Sequence, residues 1–163
     1  MQRLAHLLPW LALGIGTASI ALADPQDLTK QTAGMDPATR DKGLGFTVEC
    51  PDGAAAAEAC KVDKETYGGW RSFSVNCLAC HGGSAMGSTF APNLMDRFNT
   101  HVDYERFDHV LRNGYVGKMG AMPSFGSNPG VLKDIDRLYR YLRARADGVL
   151  PPGRPAKLPD GGS

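Results

Sequence analysis

The chain has 163 residues, of which 42% are hydrophobic and 21% are charged, and this size and composition fit a single globular domain. Its 18 Lys and Arg residues nearly balance its 17 Asp and Glu residues. A nucleic-acid-binding protein is expected to carry a clear basic excess, so the charge balance argues against that class.

The first 23 residues have the pattern of a cleaved signal peptide. Arg3 is the only charged residue in this segment, an apolar run extends from Leu7 to Leu22, and small residues at positions 21 and 23 precede Asp24. The run is short for a membrane span. We therefore predict export, cleavage before Asp24 and no membrane anchor after processing, with a retained anchor as the alternative. Loss of Arg3 leaves 17 basic against 17 acidic residues, which argues against strong electrostatic steering.

Residues 24–63 are predicted to form a polar lead-in. Glycines and prolines interrupt residues 24–49, and no helical period is sustained, so this stretch is expected to be extended or disordered. A turn signal, Pro51-Asp52-Gly53, and an Ala-rich stretch that favours a short helix separate Cys50 from Cys60. In an exported protein, two cysteines outside the motif described below are expected to form a disulfide, with free thiols as the alternative.

A helix is predicted from about Lys64 to Cys80. Apolar residues recur every three or four positions along it, at Tyr67, Trp70, Phe73 and Cys77. The adjacent Gly68 and Gly69 weaken helix propensity, so their presence suggests that another backbone approaches closely there. The pair Gly82-Gly83 is predicted to end the helix.

The sequence Cys77-Leu78-Ala79-Cys80-His81 is the attachment motif for c-type haem. Two thiols one helical turn apart lie on one face and can add to the two vinyl groups of a porphyrin, while the following imidazole binds the iron. A structural zinc site would need a second close pair of ligands, which Cys50 and Cys60 do not supply at their spacing. A redox dithiol would be expected after a strand in a βαβ unit, and no such pattern is present.

The rest of the chain is predicted to contain two more helices. Residues 82–102 are expected to form a loop, and Asp103 is a good N-cap for a helix that ends at Asn113-Gly114. A Gly-rich loop follows through Gly126. The clearest helix runs from about Val131 to Ala146, with one apolar stripe. The Pro-rich tail, residues 148–163, is expected to be extended.

Met122 is the predicted second axial ligand of the iron. Met119 and Met122 lie in the Gly-rich loop, far enough along the chain to reach the opposite face of the porphyrin. Pro123 restrains Met122 to an extended backbone that presents its thioether at a fixed position, so Met119 is the alternative. Packing roles are predicted for the other methionines considered, Met35, Met86 and Met95, and surface or capping roles for His101 and His109.

Further motifs accompany the attachment sequence. They are Thr66-Tyr67-x-Gly69-Trp70, Gly87-Ser88-x-Phe90-Ala91-Pro92-x-Leu94, Met122-Pro123-x-Phe125-Gly126, Leu138-Tyr139-x-Tyr141-Leu142-x-Ala144-Arg145-x-Asp147-Gly148 and Gly153-Arg154-Pro155. With them the chain resembles class I monohaem cytochromes c over about residues 65–147. In particular, it is similar to the periplasmic cytochromes that serve quinoprotein alcohol dehydrogenases.

The resemblance implies an all-α class I fold, in which three main helices surround one covalently attached haem c and the cytochrome domain spans residues 64–147. The carbonyl of Pro92 is then expected to accept a hydrogen bond from the ring N–H of His81. The implied function is that of a periplasmic, monomeric one-electron carrier and not an enzyme. A pyrroloquinoline-quinone (PQQ) alcohol dehydrogenase would be the donor, and a downstream cytochrome or oxidase the acceptor. The alternatives are a cytochrome subunit of another periplasmic oxidoreductase, such as a sulfur-oxidising one, and a haem enzyme or gas sensor with an open sixth site.

Overall fold

The computed structural model describes residues 36–159. Seven α-helices carry most of the architecture of this part of the chain: α1 (Pro37–Arg40), α2 (Lys64–Asn76), α3 (Leu78–His81), α4 (Leu94–Thr100), α5 (Tyr104–Asn113), α6 (Pro129–Leu132) and α7 (Ile135–Ala146). Single 3-10 turns occupy Ala57–Ala59 and Gly83–Ala85. The predicted signal peptide, its cleavage site and Met35 lie outside the described residues. Within residues 36–159, no helix is long and apolar enough to cross a membrane.

Two small sheets complete the described fold. In the first, β2 (Lys61–Val62) lies between β1 (Val48–Glu49), with which it pairs antiparallel, and β5 (Ala156–Lys157), with which it pairs parallel. The second is a hairpin of β3 (Tyr115–Gly117) and β4 (Gly120–Met122). The first sheet therefore joins the lead-in to the tail, although these segments lie at opposite ends of the sequence.

The helices α2 and α7 form the centre of the fold. α2 begins after Asp63, whose carboxylate accepts hydrogen bonds from backbone amides of the first turn. A Cβ atom at Gly69 would lie 1.9 Å from the carbonyl oxygen of Arg137, so only glycine permits this approach. The close backbone approach predicted at the glycine pair is confirmed at Gly69. The neighbouring Gly68 faces the flexible side chain of Arg137.

An aromatic cluster from α4, α5 and α7 extends this centre. The rings of Phe98, Tyr104 and Phe107 contact Tyr139 with centroid distances of 5.3–5.6 Å. The second predicted helix is confirmed as α5, because Asp103 caps its first turn and Gly114 follows its last residue.

The prediction that residues 82–102 form only a loop is wrong, because α4 lies within them. Asn93 accepts a hydrogen bond from the Met95 amide and so caps the helix. Met95 and Phe98 are buried, and α4 packs against α7. Two apolar residues three positions apart provide too short a pattern to distinguish a two-turn helix from a loop.

The predicted C-terminal helix is divided into α6 and α7 by a turn at Lys133–Asp134. The predicted apolar stripe is buried as expected: Val131, Ile135, Leu138, Tyr139 and Leu142. Two arginines of the last turns, Arg143 and Arg145, are buried as well, which was not predicted. Burial of charged residues is rare unless partners compensate for lost hydration. Several segments outside α7 supply such partners to these two arginines.

The described part of the lead-in packs against α7 and contains the helix α1 and the extended strand β1. The expectation of disorder is therefore wrong for residues 36–49, and that of an extended backbone is met at β1 but not at α1. Asp41 follows α1 and is 6% exposed. Its carboxylate accepts hydrogen bonds from Arg40 and, at 2.7 Å, from the hydroxyl of Tyr139, and it lies 3.3 Å from Nε of Arg143. A polar segment can thus be held in place by ionic contacts, which hydropathy does not reveal.

We expect Asp41→Asn to lower the free energy of unfolding at pH 7 by about 2 kcal/mol, because buried donors lose a charged acceptor. Burial opposes ionisation of Asp41, but the hydrogen bonds from Arg40 and Tyr139 and the charge of Arg143 hold its pKa below the ordinary value. The stabilisation is therefore complete above the unfolded pKa of about 3.9 and is lost as the pH falls through the lower folded pKa.

Urea unfolding of the wild type and Asp41→Asn across pH 2–7 measures this effect. The exposed Asp52 provides a control, and Asp52→Asn is expected to leave both the stability and its pH dependence nearly unchanged. Equal stability of Asp41→Asn and the wild type at pH 7 would contradict the assigned role of the carboxylate.

The lead-in and the tail meet beside a disulfide. Cys50 and Cys60, the pair predicted to be linked, are joined in the structure. The tail is extended as predicted at β5, but residues 148–153 form turns and bends, with positive φ at Gly148 and Gly153. The extended part is also paired, since the amide of Ala156 donates to the Cys60 carbonyl at 2.9 Å. Leu150, at the start of the tail, is fully buried. The disulfide therefore lies beside the sheet that joins the lead-in to the tail.

Replacing both Cys50 and Cys60 by Ser is expected to lower the free energy of unfolding by about 2–3 kcal/mol, since the small ring no longer restricts the unfolded chain. The visible spectrum should be unchanged, because the disulfide braces the lead-in and the tail and contains neither cysteine of the attachment motif. Denaturant unfolding and an absorption spectrum of the same sample test both statements. Loss of the haem spectrum would show that this pair serves another purpose.

Candidate functional site

The motif residues lie on a single turn that is separate from α2. The predicted helix is interrupted at Cys77, whose backbone leaves the helical region, and α3 then carries Leu78–His81. The amide of His81 donates to the Cys77 carbonyl at 2.9 Å, which closes the turn. Gly82 follows with φ +70°, a conformation that favours glycine, and ends α3 as predicted. Cys77 and Cys80, which are three residues apart in the sequence, therefore lie on the same turn.

The two thiols of this turn are free in the structure. Cys77 is half-buried and Cys80 is exposed. Burial, with a smaller effect from Cys80, raises the pKa of the Cys77 thiol to about 11. Both cysteines are thus available for covalent attachment, whereas Cys50 and Cys60 are already bonded to each other.

His81 is 8% exposed, and a backbone carbonyl faces one edge of its imidazole. Its Nδ1 lies 3.5 Å from the carbonyl oxygen of Pro92, the pair that the sequence resemblance implied. Burial lowers the pKa of His81, and the Pro92 carbonyl partly opposes this shift. The neutral imidazole would carry its proton on Nδ1, leaving Nε2 as the donor for a metal.

Glycines make the approach of Pro92 to His81 possible. The amide of Gly87 donates to the His81 carbonyl at 2.8 Å, and Gly87 has φ +89°. A Cβ atom at Gly87 would lie 2.7 Å from the amide nitrogen of Asn93, directly after Pro92. The backbone therefore folds back on itself between His81 and Pro92 only because this position lacks a side chain.

Met122 lies at the end of the β3–β4 hairpin, within a segment predicted to be only a loop. It pairs with Tyr115, so the two side chains share one face of the hairpin. The segment after it is anchored to the end of α5: the hydroxyl of Ser124 donates to the Arg112 carbonyl, and the Phe125 amide donates to the Leu111 carbonyl at 2.8 Å. This anchoring fixes the backbone that presents the thioether.

The other methionines and histidines occupy less suitable positions. Met119 is 54% exposed in the hairpin turn. Met95 is buried in the core as predicted, but Met86 is 51% exposed, so its predicted packing role is wrong. Met86 follows a 3-10 turn at the surface, where its Sδ accepts a hydrogen bond from Arg145. His101 caps α4, and His109 lies beside Asn113.

Arg145 lies near the site, and no role was predicted for it from the sequence although it stands in one of the quoted motifs. It donates hydrogen bonds to the carbonyl of Ser84, three residues after His81. A signal was present, because Arg145 continues the series Ile135, Leu138, Leu142 at helical spacing and therefore falls on the apolar stripe of α7. A charged residue on such a stripe indicates a specific buried partner.

The chemistry of these donors fits a covalently attached haem. Two free thiols on one turn can form the thioether links, and an imidazole and a thioether are common axial ligands of haem iron. A bare metal ion fits less well, because within residues 36–159 no group of three or more His, Cys, Asp or Glu side chains is placed to bind one. The zinc alternative has no further support, since Cys50 and Cys60 are bonded to each other.

Comparisons with known proteins agree with this chemistry. The family described as "Cytochrome C oxidase, cbb3-type, subunit III" matches residues 65–142. Cytochrome c-553I of Paracoccus denitrificans is 35% identical over 148 residues, which cover 88% of this chain and 65% of that protein. Cytochrome c-555 of Methylococcus capsulatus is 36% identical over 101 residues, which cover 61% of this chain and 78% of that protein.

A solved structure shares the fold. The crystal structure of the c-type cytochrome XoxG from Methylobacterium extorquens AM1 superposes with a TM-score of 0.57 and 42% identity, covering 61% of this chain and 62% of that one. This chain therefore spans less than two thirds of both the Paracoccus and the Methylobacterium proteins. The predicted helical class I fold and the covalent haem c are confirmed by these relationships. By its likeness to cytochrome c-555 over most of that protein's length, the chain belongs to the cytochrome c family.

Proposed function

We propose that the protein is an exported one-electron carrier that holds haem c through Cys77 and Cys80, with His81 and Met122 as the axial ligands. The observation that carries this proposal is the turn Cys77–His81, where two free thiols precede a buried imidazole whose Nδ1 faces the Pro92 carbonyl. The predicted signal peptide supports export to the periplasm, where the carrier is proposed to act as a monomer.

Each residue has a distinct part in this proposal. When bound, haem c supplies a one-electron iron couple. Cys77 and Cys80 hold it to the chain, and the carbonyl of Pro92 keeps the proton of His81 on Nδ1, which orients the ring and increases its basicity. Met122 supplies a soft, neutral sulfur from an anchored hairpin. Two protein ligands leave no open position for a substrate, which favours a carrier over a haem enzyme or gas sensor.

The proposed donor is a PQQ-dependent alcohol dehydrogenase, and the proposed acceptor is a downstream cytochrome or oxidase. The motifs quoted above for residues 65–155 support this choice of donor. The cytochrome domain is assigned to residues 64–147, with the lead-in at 24–63 and the tail at 148–163. Because the tail pairs with the lead-in through β5 and β2, both segments are proposed to brace the domain.

Stopped-flow reduction by purified PQQ alcohol dehydrogenases tests the donor. Rapid reduction that saturates with dehydrogenase concentration is expected, and a flavin-dependent dehydrogenase acting on the same alcohol serves as the control. Equal rates with both enzymes would contradict a specific partnership.

Intact mass tests the proposed processing and haem attachment, with a chain beginning at Asp24, one haem and no alkylatable thiol as the expected result. Ready binding of carbon monoxide by the reduced wild type would favour the gas-sensor alternative.

A further inference from the structure

Arg145 is a buried cation near the C-terminal end of α7. Its residue exposure is 6%, and within the described residues no carboxylate lies at ion-pair distance from it. Its guanidinium donates to the carbonyls of Ser84 and Leu150, at 3.2 and 2.5 Å, and to the sulfur of Met86 at 3.5 Å. Burial lowers the pKa of Arg145, but an arginine remains protonated at any physiological pH. The site therefore keeps a full positive charge.

The adjacent buried arginine of α7 shows the contrast. Arg143 is 1% exposed, but its guanidinium lies 3.3 Å from Asp41 and 3.6 Å from Asp147. Its charge is thus largely cancelled within the fold. Within residues 36–159, Arg145 contacts neutral groups: the carbonyls of Ser84 and Leu150, the sulfur of Met86 and the hydroxyl of Tyr141. Its field therefore extends into the surrounding protein.

That field acts on the segment that carries the proposed iron ligand. Ser84 is three residues from His81, so the two positions are separated by at most about 11 Å of chain. The segment also closes back on itself, since the Gly87 amide donates to the His81 carbonyl. Arg145 therefore holds its positive charge beside the turn of His81 and not at a remote surface.

We propose that Arg145 raises the reduction potential of the haem by placing near the iron a positive charge that no carboxylate of the described residues pairs with. The inference rests on the proposed function, because it requires the iron to be bound at His81. Reduction removes one positive charge from the iron, so a nearby cation favours the reduced form. The chain length from Ser84 to His81 and the size of an imidazole place the guanidinium within about 20 Å of an iron bound at His81. At an effective dielectric constant of about 20, one charge changes the equilibrium constant for reduction roughly fourfold at about 20 Å and roughly tenfold at about 12 Å. A tenfold change corresponds to about 59 mV for one electron.

Met86 offers a way to cancel the charge without removing Arg145. Its side chain is half exposed and its sulfur contacts the guanidinium, so Met86→Glu would place a carboxylate beside Arg145. Met86→Gln is the matched neutral control of nearly the same shape. In spectroelectrochemical titrations of the haem-loaded protein, Met86→Glu is expected to have a lower potential than Met86→Gln, with a change in the reduction equilibrium of up to about tenfold.

Direct replacement gives a second test. Arg145→Gln is expected to lower the potential by a similar amount, and Arg145→Lys, which keeps the charge, should restore most of it. The methionine–iron(III) charge-transfer band and the visible spectrum should be retained in all four variants, which excludes loss of a ligand as the cause. If Arg145→Gln fails to fold, the two Met86 variants decide the question.

Equal potentials of Met86→Glu and Met86→Gln would overturn the inference while leaving the electron-carrier proposal intact. Equal potentials of wild type and a folded Arg145→Gln would do the same. Absence of a reversible one-electron couple in the wild type would overturn the proposed function and this inference together. The experiment therefore separates the two failures.

Discussion

Met122→Ala is expected to abolish the methionine–iron(III) charge-transfer band, to lower the reduction potential and to let carbon monoxide bind the reduced iron. A thioether is a soft, neutral ligand that favours iron(II), and its loss leaves water or a harder ligand in its place. Axial ligands shift haem potentials over a range of about 0.8 V, so this change should exceed that of any other substitution considered. Absorption spectra, voltammetry and a carbon monoxide titration measure the three effects.

Met119→Ala is the matched control, because Met119 lies three residues away in the turn of the same hairpin and is 54% exposed. It should retain the band, and His101→Ala and His109→Ala should retain it as well. If Met119→Ala removes the band and Met122→Ala does not, the ligand assignment is wrong although the carrier proposal survives. If the wild type lacks the band and binds carbon monoxide readily, the sixth position is open and the gas-sensor alternative is favoured.

Gly69→Ala is expected to lower the free energy of unfolding by about 3–5 kcal/mol, above the usual 1–3 kcal/mol for an overpacked core. The new methyl group would lie 1.9 Å from the carbonyl oxygen of Arg137 and 2.5 Å from its carbonyl carbon. Both atoms belong to the backbone and cannot rotate away, so α2 and α7 must separate. Denaturant unfolding of the haem-loaded protein measures the loss.

The neighbouring glycine provides the control for helix propensity. At Gly68 a Cβ atom would lie 3.0 Å from Cδ of the Arg137 side chain, which can move aside. Gly68→Ala should therefore be neutral or more stable by up to about 1 kcal/mol, as expected for alanine in a helix. Similar losses in both variants would show that the helix crossing does not depend on Gly69.

The sequence predicts features that depend on local spacing. The attachment motif requires only five consecutive residues, and the stripe on α7 and the cap at Asp103 follow from helical period and capping chemistry. Even the close contact at Gly69 can be inferred, because a glycine inside a helix lowers its propensity and needs a compensating reason.

The features that were not predicted depend on distant partners. Asp41 is held by Tyr139 and Arg143, about one hundred residues later, so nothing in the polar lead-in indicates that it packs. The β3–β4 hairpin has short strands that contain glycine, and neither strand is rich in β-branched residues. Arg145 carries a detectable signal as a charge on an apolar stripe, but its acceptors at Ser84 and Leu150 become visible only when the chain is folded.

The packing of α2 against α7 also determines the order in which the molecule can form. A chain that emerges with its N-terminal end first presents Cys77–His81 more than fifty residues before Ile135, where α7 begins. During that interval α2 is a 13-residue helix without its main partner, and such a helix is only marginally stable in water. β5, the strand of the tail that pairs with β2, is synthesised later still. The turn with its two thiols is therefore synthesised well before α2 can pack against α7 at Gly69, which would leave it accessible for the proposed attachment of haem.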